Sequence, residues 1–194
     1  MFGTKDVKLH STSKYLGWGV QELKITSFGV RQASTGSQSV TLNVEGRPVD
    51  EEGWEGEDGA AGQVGRVQLG SWLKTESQQK EFNENITRIA TALGVLDEVN
   101  AIEAADLEEY IAAVTPHLCN KWMRMKVVVK EYRKGDGNIG KTLHTARFNF
   151  VESTEQEGSK LTFDMSNEYD YEKLKEQPDA VTTNGNGSEN DLPF

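Results

Sequence analysis

The sequence predicts a mainly β chain interrupted once by helix, and three observations carry that expectation. Segments rich in β-branched and aromatic residues, alternating with polar ones, stand on both sides of a single block of helical periodicity. Glycine-rich and acidic stretches separate the segments, and nowhere does a long apolar run join them. The charge is divided in the same way, with bases in the strand-like segments and acids in the helical block, one loop and the C-terminal region.

The first strand is expected over Glu22–Arg31 (ELKITSFGVR), with Gly29 as its candidate bulge. After the turn signal ASTGS, Val40, Leu42 and Val44 alternate with polar residues over Gln38–Glu45, the mark of a half-buried strand. An acidic, glycine-rich loop at about 48–62 leads to Gln63–Leu73, where Val67 and Leu69 alternate with Arg66 and Gln68. Phe82, Ile86, Ile89 and Leu93 then recur at helical spacing, and Gly94 stands where a helix end favours a left-handed residue. A shorter helix fits Asp106–Val114, with Asp106 and Glu109 at capping-box spacing and Pro116 just beyond the end. Two strands return, Lys121–Tyr132 and Thr142–Val151, joined by RKGDGNIGK, and Lys160–Met165 is a candidate last extension. From about residue 177 the chain is rich in Thr, Asn, Gly and Ser without apolar periodicity and is expected to be disordered.

The resulting order, β-β-β-α-β-β, is that of the five-stranded OB-fold barrel. We therefore expect an OB-fold domain over residues 1–165, with a helical insert at about 76–114, and an acidic flexible tail over 166–194. Barrels of this kind bind oligonucleotides across strands two and three and the loops after strands one and four, here about 31–38 and 133–141.

The 194 residues suffice for one substantial domain. The single cysteine, Cys119, excludes an internal disulfide and a cysteine-based zinc site. Without a signal peptide or an apolar run of about 20 residues, a soluble cytoplasmic protein with no membrane partner is expected. The formal charge of −10 argues against nucleic acid only if it is evenly spread. Glu152–Phe194 carries 11 acids against 3 bases, Asp50–Asp58 six acids and no base, and Glu76–Ala113 nine acids against two bases. The remaining segments carry 16 Lys/Arg against five acids, a net of +11. A polyanion responds to that local field rather than to the total.

Lys121–Lys134 is the most informative stretch. One face of the strand reads Met123, Met125, Val127, Val129; the other reads Trp122, Arg124, Lys126, Val128, Lys130, Tyr132. Cations for phosphates and flat rings for bases are what a single strand requires, each stacked base contributing roughly 1–3 kcal/mol. The competing reading is a strand whose aromatics pack beneath the helices, with incidental lysines. Lys24, Arg31, Arg66, Trp72 and Arg147 fit the same nucleic-acid face, with Arg133, Lys134 and Lys141 as phosphate contacts at its mouth.

Gly135–Thr142 (GDGNIGKT) matches the phosphate-cradling P-loop by letter, so a nucleotide-hydrolysing protein using 135–142 is the alternative function. That motif needs a helix after the loop, and LHTARFNFV alternates like a strand. Three scattered histidines (His10, His117, His144) suggest no catalytic or metal constellation. No enzymatic activity, metal or cofactor is expected.

The chain ends Asp191-Leu192-Pro193-Phe194, an apolar tip after a polar stretch. Here the sequence resembles the phage-type single-stranded DNA-binding proteins, whose acidic tips close with Ile or Leu, Pro, Phe. The acidic helical insert and the KYLGWGV lead-in depart from the bacterial pattern, which places the bacterial tetramer in question, while a homo-oligomer stays compatible. The resemblance implies binding and protection of single-stranded DNA during phage DNA replication, recombination or repair, in the host cytoplasm. It also implies that Asp191, Leu192, Pro193 and Phe194 recruit replication or recombination proteins.

Overall fold

The computed structural model describes residues 16–48 and 63–175. The acidic loop at 49–62, the lead-in up to residue 15 and the tip Asp191–Phe194 lie outside the described residues. Strand β1 (Gly19–Gln32) pairs antiparallel with β2 (Gln38–Pro48), and β2 with β3 (Gln63–Leu73). Strand β4 (Trp122–Arg133) pairs antiparallel with both β1 and β5 (Ile139–Thr145), and β5 runs parallel to β3. Five strands thus form a closed ring. Its β3–β5 seam is short, comprising Val67↔Leu143 and Gln68↔His144. Helices α1 (Glu76–Ala92), α2 (Leu96–Asn100) and α3 (Leu107–Leu118) lie between β3 and β4 in the chain. Among the described residues no helix is long and apolar enough to cross a membrane.

Alternation along the strands sends Leu23, Ile25, Val40, Leu42, Val44, Val67, Leu69, Met123, Met125 and Val127 into one core, which Phe82, Ile86 and Ile89 of α1 complete. Burying each of these large side chains contributes on the order of 1.5–3 kcal/mol. The irregularity in β1 falls between Ile25 and Ser27, not at Gly29. The reason is the apolar phase: Leu23 and Ile25 point inward, so one extra residue is needed before Phe28 and Val30 can do the same. Thr26 supplies it, and Phe28 and Val30 come to lie opposite Leu42 and Val40.

The helices start and stop on local signals. Thr75 and Gln78 form a capping box at the head of α1, and Gly94 follows its last turn at φ +68°. Asp106 caps α3 by accepting the Glu109 N–H at 2.9 Å. Pro116, expected beyond the helix, lies inside its last turn. It removes one N–H, and the turn persists because Leu118 is fully buried and the Cys119 N–H still reaches the Thr115 carbonyl.

Two further expectations are corrected. The strand expected over Thr142–Val151 ends at Thr145. Asn149 adopts φ +44°, which turns Phe150 into the core and leaves Phe148 64% exposed, where simple alternation put both on one face. No strand forms over Lys160–Met165; instead β6 (Val151–Ser153) and β7 (Tyr171–Glu172) both pair with β4. Met123–Met125 pairs with both β1 and β6, and Val129–Lys130 with both β5 and β7, so β6 and β7 sit on opposite edges of β4. The chain between them crosses the outer face of β4. Asp170 and Tyr171 are buried there, so packing continues past residue 165.

Candidate nucleic-acid interface

The outer face of the β1–β2–β3 sheet is built by register. Beyond the Thr26 bulge, Ser27, Gly29 and Arg31 lie opposite Asn43, Thr41 and Ser39, and Arg66 and Gln68 lie opposite Asn43 and Thr41. All of these but Ser27 line an open groove of about 690 Å³, with Trp18, Lys141 and Leu143 at its side. Its floor is small and polar, and Arg31 and Arg66 are exposed upon it. Asn43 is oriented by donating Nδ2–H to Ser27 Oγ at 2.8 Å.

Trp18 reaches this groove because two glycines let the chain cross the sheet. The Leu16 N–H donates to the Val64 carbonyl at 2.9 Å. A Cβ on Gly65 would stand 2.5 Å from the Leu16 side chain, and one on Gly46 2.9 Å from the Glu22 carbonyl oxygen. Trp18 then meets Tyr171 edge-on, with ring centres 5.8 Å apart. The Lys141 ammonium lies 4.5 Å from the Trp18 ring centre and 5.3 Å from that of Tyr171. The Tyr171 hydroxyl donates to Glu131 Oε1 at 2.8 Å, and that bond, with the Leu174 N–H, holds the Glu131 carboxyl below its usual range.

Of the sequence-predicted residues, the groove thus brings together Arg31, Arg66 and Lys141. The cations of β4 are placed differently. Arg124 donates Nη1–H to the carbonyls of Gln156 and Gly158 at 2.7 and 2.9 Å, and pairs with Glu22 at 3.4 Å and Glu152 at 3.9 Å. Lys126 pairs with Asp170 at 2.7 Å, and Lys130 with Glu172 at 3.1 Å. The segment crossing β4 therefore supplies counter-charges to the row that sequence reading assigned to phosphates.

Trp122 does not line the groove. It stands opposite Lys24 in the β1–β4 register, with the Lys24 ammonium 5.2 Å from its ring centre and 3.2 Å from Glu45. Trp72 belongs to β3, but its side chain is outside the described residues. Arg147 lies 5.2 Å from the Phe148 ring beside Glu81 and Glu84 of α1, away from the groove. His144 lines a neighbouring depression, where burial first and Lys130 second push its imidazole down to about 4.

Arg133 and Lys134 project from the β4–β5 hairpin, and Tyr132 covers Gly140, where a Cβ would stand 2.5 Å from the ring. Gly135–Thr142 closes this antiparallel hairpin through the Lys134 N–H to Asn138 carbonyl bond, with Gly137 at φ +83°. Its second half, Ile139–Thr142, already belongs to β5, so a strand and not a helix N-terminus comes after the turn, and the Asp136 carboxylate accepts from the Asn138 N–H at 3.0 Å.

Trp18 is the groove residue that sequence reading passed over. Its signal was the Leu16-Gly17-Trp18-Gly19-Val20 lead-in, in which apolar residues alternate with glycine; the chain bends at Trp18 and enters β1 through Gly19 at φ +104°. The partner residues Asp191, Leu192, Pro193 and Phe194 lie outside the described residues. Comparison with protein-family models finds no match, and a search of curated protein sequences finds none either.

Proposed function

We propose that the five-stranded ring is an OB-type barrel and that the protein binds single-stranded DNA in the groove across β1, β2 and β3. The observation that carries this reading is the convergence of Arg31, Arg66 and Lys141, from three different strands, on one open groove with a tryptophan at its side. Separate strands hold the three charges apart at fixed positions, which suits a ligand with regularly repeated phosphates. The small polar floor leaves room for unpaired bases, whereas a duplex presents its bases inside the stack. The protein acts without chemistry of its own: it covers exposed strands during replication, recombination or repair. By its resemblance to the phage proteins, it brings partner enzymes to them through Asp191, Leu192, Pro193 and Phe194.

The test is a fluorescence titration with oligo-dT and with duplex of equal length over a range of salt. Single-strand binding at low salt with weak duplex binding is expected. Each neutralised single-strand phosphate contributes about −0.7 to the slope of log affinity against log salt, so Arg31→Ala and Arg66→Ala should each flatten it by about that amount. No binding at low salt, or equal binding of duplex, overturns the reading.

A further inference from the structure

Lys141 differs from Arg31 and Arg66 in where its charge rests. Its ammonium lies over Trp18 at 4.5 Å and over Tyr171 at 5.3 Å. The two rings are unequally free. Tyr171 is buried, paired with β4 through Val129, and anchored by its hydroxyl to Glu131. Trp18 is 37% exposed and lines the groove. A nucleobase stacking on Trp18 and an ammonium resting on the same ring compete for one place. A phosphate, meanwhile, offers that ammonium a charge-assisted partner stronger than a ring.

We infer that Trp18 and Lys141 form a one-nucleotide subsite that is closed on itself in the free protein and opens by exchange. A phosphodiester draws Lys141 off the ring, and the base of the same or the adjacent nucleotide stacks on Trp18 in its place. The residue types suit this role. A lysine carries a point charge on a flexible four-carbon stem and can leave a ring for a phosphate, while an arginine stacks as a plane. Glu131, opposite Lys141 in the β4–β5 register, keeps a counter-charge beside the ammonium while it waits. The inference rests on the proposed single-strand reading of the groove.

A double-variant cycle on oligo-dT affinity tests it, using Trp18→Ala, Lys141→Ala and both together, with thermal unfolding as the folding control. Each single variant loses a contact to the strand but is also relieved of the free-state contact. The relief is counted twice in the product of the singles and once in the double. The double variant should therefore lose more affinity than the product of the single losses, by about two- to five-fold, the worth of an exposed cation–π contact. Trp18→Phe, which keeps a ring of weaker cation affinity, replaces Trp18→Ala if the latter does not fold. A double loss equal to the product means that the ammonium stays on the ring in the complex, and this overturns the exchange. Unchanged affinity in a folded Trp18→Ala, with Arg31→Ala still weakened, overturns the base platform alone. Failure of the intact protein to bind oligo-dT at low salt is the distinct result that removes the groove reading itself.

Discussion

Replacing Asp170 with asparagine asks whether the segment crossing β4 is part of the body or a competitor for nucleic acid. Asp170 is 4% exposed, and its Oδ1 stands 2.7 Å from the Lys126 ammonium, whose side chain is 17% exposed. Its Oδ2 accepts the Asp164 N–H at 3.0 Å. At an effective dielectric near 20, Coulomb's law gives about 6 kcal/mol of attraction at the Lys126 distance, much of it offset by the desolvation of both groups. Removing one partner restores none of that desolvation. Asparagine also turns one of the two acceptor oxygens into a donor facing Lys126 or the Asp164 N–H. The expected loss is about 3 kcal/mol, the lower end for breaking a buried pair, and a large part of a typical domain's 5–15 kcal/mol. Equilibrium unfolding in urea measures it, as a lowered midpoint at unchanged slope. Because the cations of β4 serve the fold in this account, oligo-dT affinity of the folded variant should stay within two-fold of the intact protein. An Asp170→Asn variant of undiminished stability that binds oligo-dT more tightly, with a salt slope steeper by about 0.7, refutes the reasoning. Lys126 would then be a phosphate contact held back by Asp170.

Two further expectations follow from the same placements. His144 has a folded pKa of about 4 against an ordinary 6.5, so the unfolded chain takes up its proton first; stability should fall as pH drops from about 6.5 towards 4, and His144→Gln should flatten the melting temperature across that window while leaving the slope of the limb below it unchanged. Trp122→Ala should leave oligo-dT affinity nearly unchanged while Trp18→Ala weakens it several-fold, since Trp18 lines the groove and Trp122 does not; the reverse ranking in two folded variants would return the interface to the face of β4.

Much of the architecture could be read from short-range pattern. The bounds of β3, the left-handed Gly94 after α1 and the Asp106 cap of α3 each depend on residues within a few positions, so propensity and capping chemistry suffice to place them. The Thr26 bulge was also legible, in the shift of apolar phase between Ile25 and Phe28, although a glycine three positions on drew the assignment to itself. The break after Thr145 was not, because alternation continues through Phe148 and Phe150, and it is the demand of the core for one of those rings that turns the chain at Asn149.

By itself the sequence determined that the chain alternates into a core, that one helical block divides five main strands, and that bases concentrate on those strands. All three follow from side-chain chemistry at spacings of two to four residues. Only the tertiary structure decided which of those bases face open solvent. Arg124 and Lys126 read in sequence like Arg31 and Arg66, but carbonyls from Gln156 and Gly158 and the carboxylate of Asp170, more than 30 residues away, close over them. Trp18 joins Lys141 across more than a hundred residues because Gly46 and Gly65 leave space for Leu16 to cross the sheet. A charge pattern states what a strand carries; what covers it depends on the partner that chain closure brings, and no local spacing encodes that partner.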